Sequence, residues 1–355
     1  MKDYIQFKAG PKILSLIRDE GLDPARIGVL AGPAGGPKWF VSVGFDRMLM
    51  ESRLLERKGS RVLLAGSSAG AWRCLAMACK NAPDAYEKLR IAYSRNVFTA
   101  ADTPASLSEA LRGNVDAFLS DVDIEHILAH PVYDVAVHTV RAKGPAASEK
   151  SRIQGPALLV AAGLNAITSR AMDLFFQRVA FFSGPKVPNF AASFNGCAVR
   201  LDRKNLRRAA LATGSLPYII KGVENISGAP LGVYRDGGLI DYQLNQDYCP
   251  GADKITLFFH YQERIVPGWF DKHVKWRNPP SGSLDRVLQV YPGADFVELL
   301  PDHRLPDRQD FTTFVNDPME RIRRWDRVSE LSDILGREFL ESVESGQIKN
   351  LVKPL

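Results

Sequence analysis

Only four cysteines occur in the 355 residues, Cys74, Cys79, Cys197 and Cys249, and no two form a Cys-x-x-Cys pair. No histidine–cysteine cluster has zinc spacing either, so neither a zinc module nor a disulfide scaffold is expected, and a reducing compartment fits. No apolar run approaches a membrane span. The start, Met1-Lys2-Asp3-Tyr4-Ile5-Gln6, carries early charge and no apolar core, so no secretory signal is expected and the expected location is the cytoplasm. Internal repeats, low-complexity tracts and blocks of like charge are also missing. Gly-x-Gly-x-x-Gly does not occur. Lys38 follows Pro37 and precedes Trp39, unlike the Gly-Lys-Ser/Thr of a nucleotide-binding loop. What remains is the composition of a globular protein, 45% hydrophobic and 24% charged with a net charge of +6. That excess is mild and spread. No nucleic-acid partner and no cofactor or metal is expected from it, while peripheral contact with an anionic membrane is left open. Oligomeric state is not encoded in any of these features.

Residues 61–73 organise the rest. Val62 to Ala65 is a short apolar run of the kind a buried parallel strand shows. Gly66-Ser67-Ser68-Ala69-Gly70 follows as Gly-x-Ser-x-Gly, and a good helix former runs from Ala69 to Lys80. Strand, tight turn and helix is the context of a nucleophile elbow, with Ser68 at its centre and the helix dipole favouring a developing negative charge there. Upstream, Ile27 to Ala31 reads as a strand that enters the loop Gly32-Pro33-Ala34-Gly35-Gly36-Pro37-Lys38-Trp39 and then a helix. Two strand–loop–helix units in succession imply a parallel sheet with right-handed crossovers.

Elsewhere, periodicity predicts a helix over 9–20, helices over 84–130 with breaks at Thr103-Pro104 and Gly113-Asn114, and strands over 134–140, 193–201, 233–236 and 254–260. A polar loop is expected over 142–154, a buried strand over 156–162, and either helix or strand over 171–182. Asn205 is placed to cap a helix from Leu206. The stretch 265–282, with Trp269, Phe270 and Trp276 among cations, suits lipid contact, but inward packing of its aromatics is the simpler expectation. Over 308–348 amphipathic helices are expected, with Arg321, Arg323, Arg324 and Arg327 on a solvated face. The domain division is 1–300 for the main domain and 301–355 for a helical extension packed on it.

Three segments in order, Gly35-Gly36-Pro37-Lys38, Gly66-Ser67-Ser68-Ala69-Gly70 and Asp236-Gly237-Gly238, resemble the patatin-like phospholipase family. Ala210 to Pro217 is similar to the family's stretch ahead of the aspartate. The resemblance spans the first two thirds of the chain. It implies an α/β fold, a three-layer α/β/α sandwich with a mostly parallel central sheet. It also implies a Ser-Asp dyad that hydrolyses lipid acyl esters: Ser68 as nucleophile, Asp236 as its base, and Gly35, Gly36 and the Ala69 N–H around the oxyanion. Lys38 takes the loop's basic position, and Gly66, Gly70, Gly237 and Gly238 take the motif glycines. The chain departs from the pattern at Trp39, where a glycine is usual, at Ala31-Gly32-Pro33-Ala34 ahead of the loop, and at Asp241-Tyr242-Gln243-Leu244, where Asn-x-Pro is usual.

Two rivals stand beside the dyad. Ser68, Asp236 and His260 satisfy the chain order of an α/β-hydrolase triad. Alternatively, the same scaffold binds a lipid surface without chemistry.

Overall fold

The computed structural model describes residues 2–56, 61–185, 187, 195–243, 245–249, 251 and 253–355. Its strands form an 11-stranded sheet with the path β11-β1-β10-β9-β2-β3-β4-β5-β6. These are β1 (Ile5–Ala9), β2 (Ile27–Gly32), β3 (Val62–Ser67), β4 (Tyr133–Ala142), β5 (Phe176–Phe182), β6 (Cys197–Arg200), β9 (Ile255–Phe259), β10 (Val287–Pro292) and β11 (Val352–Pro354). Off this path, β7 (Val223–Glu224) pairs with β8 (Val233–Asp236), and β8 pairs with the second half of β4. The centre is parallel from β10 through β9, β2 and β3 to β4. The β1–β10, β4–β5, β4–β8 and β7–β8 joints are antiparallel. The chain is thus a mixed α/β protein with a mostly parallel central sheet and helices around it, consistent with three layers.

Alternation along the central strands divides the core. Leu30, Leu64, Val137 and Phe259 face one apolar cluster, and Ala31, Ala65, Ala136 and Phe258 face another. The first cluster is closed by α2 (Val43–Ser52), α3 (Ala69–Met77) and α12 (Asp333–Glu344), with α12 packed along α2. Residues 301–355 therefore supply both helices against this face and the last strand, β11, beside β1. On the opposite face, α7 (Ser151–Ile167) lies over the far half of β4 and β5.

Several expectations need correction. A strand, β1, precedes the first helix, which begins only at Leu14 and runs to Glu20 as α1. Its five residues bury alternately, a period-2 pattern too short to stand out beside the apolar run after it. Residues 156–162 are helical, not a buried strand. They lie inside α7, where Ala and Leu favour the helix and Leu159 and Val160 face outward. The polar loop shortens accordingly, with a 3-10 turn over Gly144–Ala147 before α7 starts at Ser151. The undecided stretch resolves into a 3-10 turn, Ser169–Leu174, followed by β5.

The helical region over 84–130 divides into α4 (Ala82–Ser94), α5 (Pro104–Phe118) and α6 (Asp121–Leu128). Thr103 caps α5, but Gly113-Asn114 does not break it. Gly113 faces open space, and Asn114 spends its side chain on Asn96. Asn205 sits ahead of α8 (Leu206–Ala212) without capping it, because its Oδ1 accepts instead from the Asp202 N–H at 2.9 Å, while its amide donates to Arg200 O and Ser227 O. Of the strand expected over 193–201, Ser193 and Phe194 lie outside the described residues, as does Leu244.

The arginines of α11 (Pro318–Leu331) do not share one solvated face. Arg321 is buried, with its guanidinium 4.6 Å from the Phe311 ring centre and 4.4 Å from that of Trp325. In the 265–282 stretch the aromatics divide. Trp269 and Phe270 pack against the α7 side of the sheet, while Trp276 is 72% exposed.

Candidate functional site

The β3–α3 turn is built by what its backbone cannot accommodate. A Cβ on Gly70 would lie 2.1 Å from Gly32 O, and one on Gly66 would lie 2.7 Å from the Gly70 carbonyl carbon. Glycine at 32, 66 and 70 therefore lets the start of α3 press directly onto β2 and β3. Between them Ser68 is held at φ +54°, ψ −132°, a conformation that L-residues adopt only under constraint from their surroundings. The constraint is visible: the Ser68 N–H donates to Thr213 Oγ1 at 2.8 Å, and that hydroxyl donates to His138 O at 2.6 Å. With its own amide so engaged, Ser68 projects from the turn. The Ala69 N–H, first in the helix, has no intrahelical acceptor.

β4 is the spine that brings the aspartate to this turn. Ser67 on β3 pairs with His138, and the next residue, Thr139, pairs with Asp236 on β8. The Asp236 N–H donates to Ser215 O at 3.0 Å, and its Oδ1 accepts from the Gly238 N–H at 2.8 Å. A Cβ on Gly237 would lie 2.2 Å from His138 O, so the glycine after the aspartate answers a close approach as well as a turn. Asp236 is 2% exposed. Burial pushes its carboxyl up to about 6, opposed by Arg308, by the Gly238 N–H, by hydrogen bonding from Ser68 and by Lys272. The Ser68 side chain thus lies near enough to the Asp236 carboxyl to favour its ionised form.

The glycine loop is only partly brought to them. Gly36 has φ +57° and lies against Arg308, whose Nε would be 2.8 Å from a Cβ there. It lines the same cavity as Ser68 and Ala69. Gly35 is extended backbone packed on Tyr261, where a Cβ would meet the ring at 2.6 Å. The loop is tied to the segment after Asp-Gly-Gly: Ala34 N–H donates to Tyr242 O, and Tyr261 OH donates to Ala34 O, each at 2.8 Å.

Lys38 does not line the Ser68 cavity. It lies 3.6 Å from Asp307 and 5.3 Å from the Tyr261 ring centre, on a separate open cleft. Trp39, at a departure from the family pattern, is buried between Phe40 and Tyr86.

The cations near the aspartate are ones the sequence reading did not assign to the site. Arg308 borders both the Ser68 cavity and the small cleft at Asp236. Lys272 lies 4.5 Å from the Tyr242 ring centre. Burial, then Arg308 and Lys38, bring its ammonium down to about 8. Thr213 was also missed as a contact of Ser68, although it stands in the segment similar to the family's. Nothing in the sequence around Arg308 marks it; its proximity comes only from the fold.

The cavity encloses about 340 Å³. Its walls are mainly apolar, with Trp72, Leu107, Leu111, Leu216, Ile220 and Phe311 among the residues that share it with Ser68. A chain of methylenes fits that chemistry, with an ester carbonyl at Ser68.

His260 is not part of this cavity. It is buried beside Phe258 and Tyr261, and its Nδ1 is engaged by Gln262 O. Burial brings its imidazole down to about 3. Nε2 makes no hydrogen bond among the described residues. No contact with Ser68 or Asp236 supports the triad order read from the sequence.

Two buried ion pairs hold the frame. Asp46 on α2 accepts from Arg73 Nε at 2.6 Å and Nη2 at 2.8 Å, and from Tyr86 OH, which fixes α3 to α2. Asp241 accepts from Arg178 Nε at 2.7 Å and Nη2 at 2.6 Å and contacts His138, anchoring the turn that follows Asp236. Burial raises the Asp241 carboxyl, but Arg178 and His138 outweigh it and hold the group below the usual carboxylate range.

Among the described residues no group of three or more His, Cys, Asp or Glu could hold a metal ion. No helix among them is long and apolar enough to cross a membrane. No protein-family model matches the chain, and no curated protein matches it.

Proposed function

We propose that this chain is a serine acyl hydrolase acting on lipid esters through a Ser68–Asp236 dyad, on a patatin-like version of the α/β fold. The observation that carries the reading is Ser68 at positive φ on a glycine-packed turn, beside a buried carboxylate and lining a mainly apolar cavity. A serine hydroxyl needs a base within reach. Asp236 accepts its proton as Oγ attacks the ester carbonyl, and the carbonyl oxygen takes up negative charge between the Gly36 side of the loop and the Ala69 N–H. Such donors act mainly in the transition state and are worth about 3 kcal/mol each. Asp236 hands the serine proton to the leaving alkoxide, and expulsion of the alcohol leaves acyl-Ser68 with the aspartate ionised again. Ionised Asp236 then takes a proton from water as it attacks the acyl carbonyl, and returns that proton to Ser68 Oγ as the acid leaves.

The test compares hydrolysis of phospholipids, lysolipids and short p-nitrophenyl esters by wild type, Ser68→Ala, Ser67→Ala and His260→Ala. Ser68→Ala is expected to lose on the order of 10,000-fold or more in kcat. Ser67, buried within β3, is expected to tolerate Ala with a modest loss. His260→Ala is expected to keep the chemistry. Equal damage from Ser67→Ala and Ser68→Ala would place the nucleophile in the wrong register. A large loss from His260→Ala in a folded protein would favour the triad.

The pH profile provides a second test. The base must be ionised, so kcat/KM should rise with pH through about 6, the value to which burial brings Asp236. Arg308 opposes that rise, so Arg308→Gln is expected to move the acid limb to higher pH. A limb that stays in place would remove Arg308 from the electrostatics of the base.

A further inference from the structure

Helix α7 buries one narrow strip, Gln154, Ala157, Ala161 and Asn165. From Ile153 to the end of the helix, the residues that face solvent are Ile153, Pro156, Leu159, Val160, Gly163, Ala166 and Ile167, without a charge. Leu159 and Ile167 are 75% and 80% exposed. A surface helix of a globular protein normally turns polar residues outward, so this face is built for an apolar neighbour.

The start of the helix adjoins a segment that lines the Ser68 cavity. Tyr218 N–H donates to Gln154 Oε1 at 2.6 Å, and the next residue, Ile219, is a lining residue of the cavity. Tyr218 and Ile219 are both exposed. At the other end, Arg277 Nη2 donates to Asn165 O at 2.6 Å, which sets the exposed Trp276 beside the helix. An exposed tyrosine and an exposed tryptophan thus mark the two ends of an apolar strip, as at a membrane interface. Cations border it: Lys150 and Arg152 at the start of α7, Arg170 beyond its end, and Lys221 and Lys275 on the neighbouring segments. None of these five has an ion-pair partner among the described residues.

We propose that the outer face of α7, with Tyr218, Ile219 and Trp276, is a docking surface for an anionic phospholipid membrane, which brings the mouth of the Ser68 cavity to the lipid. The substrate side of this inference rests on Ser68 being a lipid-ester nucleophile; the docking itself does not. Acyl chains meet the Leu159–Val160 strip, and headgroup phosphates meet the bordering cations. A second copy of the chain fits less well. Two-fold antiparallel packing of α7 on α7 would set the Arg152 end of one helix against the Arg170 end of the other, like charge against like.

The experiment is vesicle sedimentation with phosphatidylcholine alone and with phosphatidylcholine mixed with phosphatidylglycerol. It compares wild type with the double variant Leu159→Glu, Val160→Glu. Short-chain p-nitrophenyl ester hydrolysis without vesicles and size-exclusion with light scattering run alongside. Wild type is expected to sediment with the anionic vesicles at least about 10-fold more strongly than with neutral ones. The double variant is expected to lose about 10-fold or more of that binding while hydrolysing the soluble ester at the wild-type rate. Wild type left in the supernatant, or a variant that binds as wild type does, overturns the proposal. A wild-type dimer dispersed by the variant without vesicle binding assigns the face to a second copy and also overturns it. Vesicle binding lost in the variant, in a protein that hydrolyses no ester, upholds the docking surface and rejects the hydrolase reading instead.

Discussion

The Asp236→Asn variant is expected to lose between about 100-fold and 10,000-fold of ester hydrolysis and yet, at pH 8, to unfold at a higher temperature than wild type. Both effects come from one carboxyl. Asn keeps the oxygen that accepts from the Gly238 N–H but cannot take a proton from Ser68. The stability effect follows from burial. The carboxyl is raised to about 6 in the folded chain, against about 3.9 in an unfolded one. For an acid raised by folding, the favourable contribution belongs to the protonated form. It is fully present below the unfolded value and is lost as pH rises through the folded one. At pH 8 the ionised group therefore costs the fold about 3 kcal/mol, which a neutral amide avoids. The gain should shrink between pH 6 and pH 4. Thermal unfolding at pH 8 and pH 5, beside the hydrolysis assay, measures both halves. An Asn variant that keeps its activity would remove Asp236 from the chemistry. One that loses activity and also stability at pH 8 would make Asp236 a structural carboxylate.

Asp46→Ala should have the largest effect on stability. The variant leaves Arg73, buried on α3, without the carboxylate that takes two of its N–H groups, and it removes the acceptor of Tyr86 OH. Breaking a buried ion pair from one side costs about 3–5 kcal/mol, because the remaining charge stays desolvated. In a chain of this size that corresponds to a fall in Tm of roughly 4–7 °C. Activity should fall with it. Asp46 joins the helix after the glycine loop to the helix that carries the Ser68 turn, so its loss frees one wall of the site to move against the other. Asp46→Asn, which keeps the shape and loses the charge, should lie between. If Asp46→Ala melts within about 2 °C of wild type, well short of the expected fall, α2 and α3 are held together by apolar packing alone.

These two carboxylates differ in how far the sequence reveals them. Asp236 is legible because its neighbours are fixed by local geometry. Glycine at 237 answers the approach of His138 O, just as glycine at 66 and 70 answers the approach of Gly32. Close backbone contact leaves a mark in the residue type itself. Asp46 leaves none, since an aspartate in an amphipathic helix reads as solvated until its partner on another helix is known. Arg308 and Thr213 were hidden for the same reason: each reaches the site across the fold, not along the chain. Lys38 shows the reverse failure. Its place in the loop pattern suggested a cation at the site, but the turn directs it to Asp307, and Arg308 lies against Gly36 instead. The central strands were legible as buried apolar runs. In α7 the same signal misled, because the run at 156–162 is apolar without being buried.

The most direct measurement is intact-mass and peptide mapping of the protein after reaction with a fluorophosphonate. A single phosphonyl adduct on Ser68, absent in Ser68→Ala and slowed in Asp236→Asn, is the result a Ser68–Asp236 dyad predicts. An adduct on Ser67 or another residue, or none in a folded wild-type chain, would contradict it.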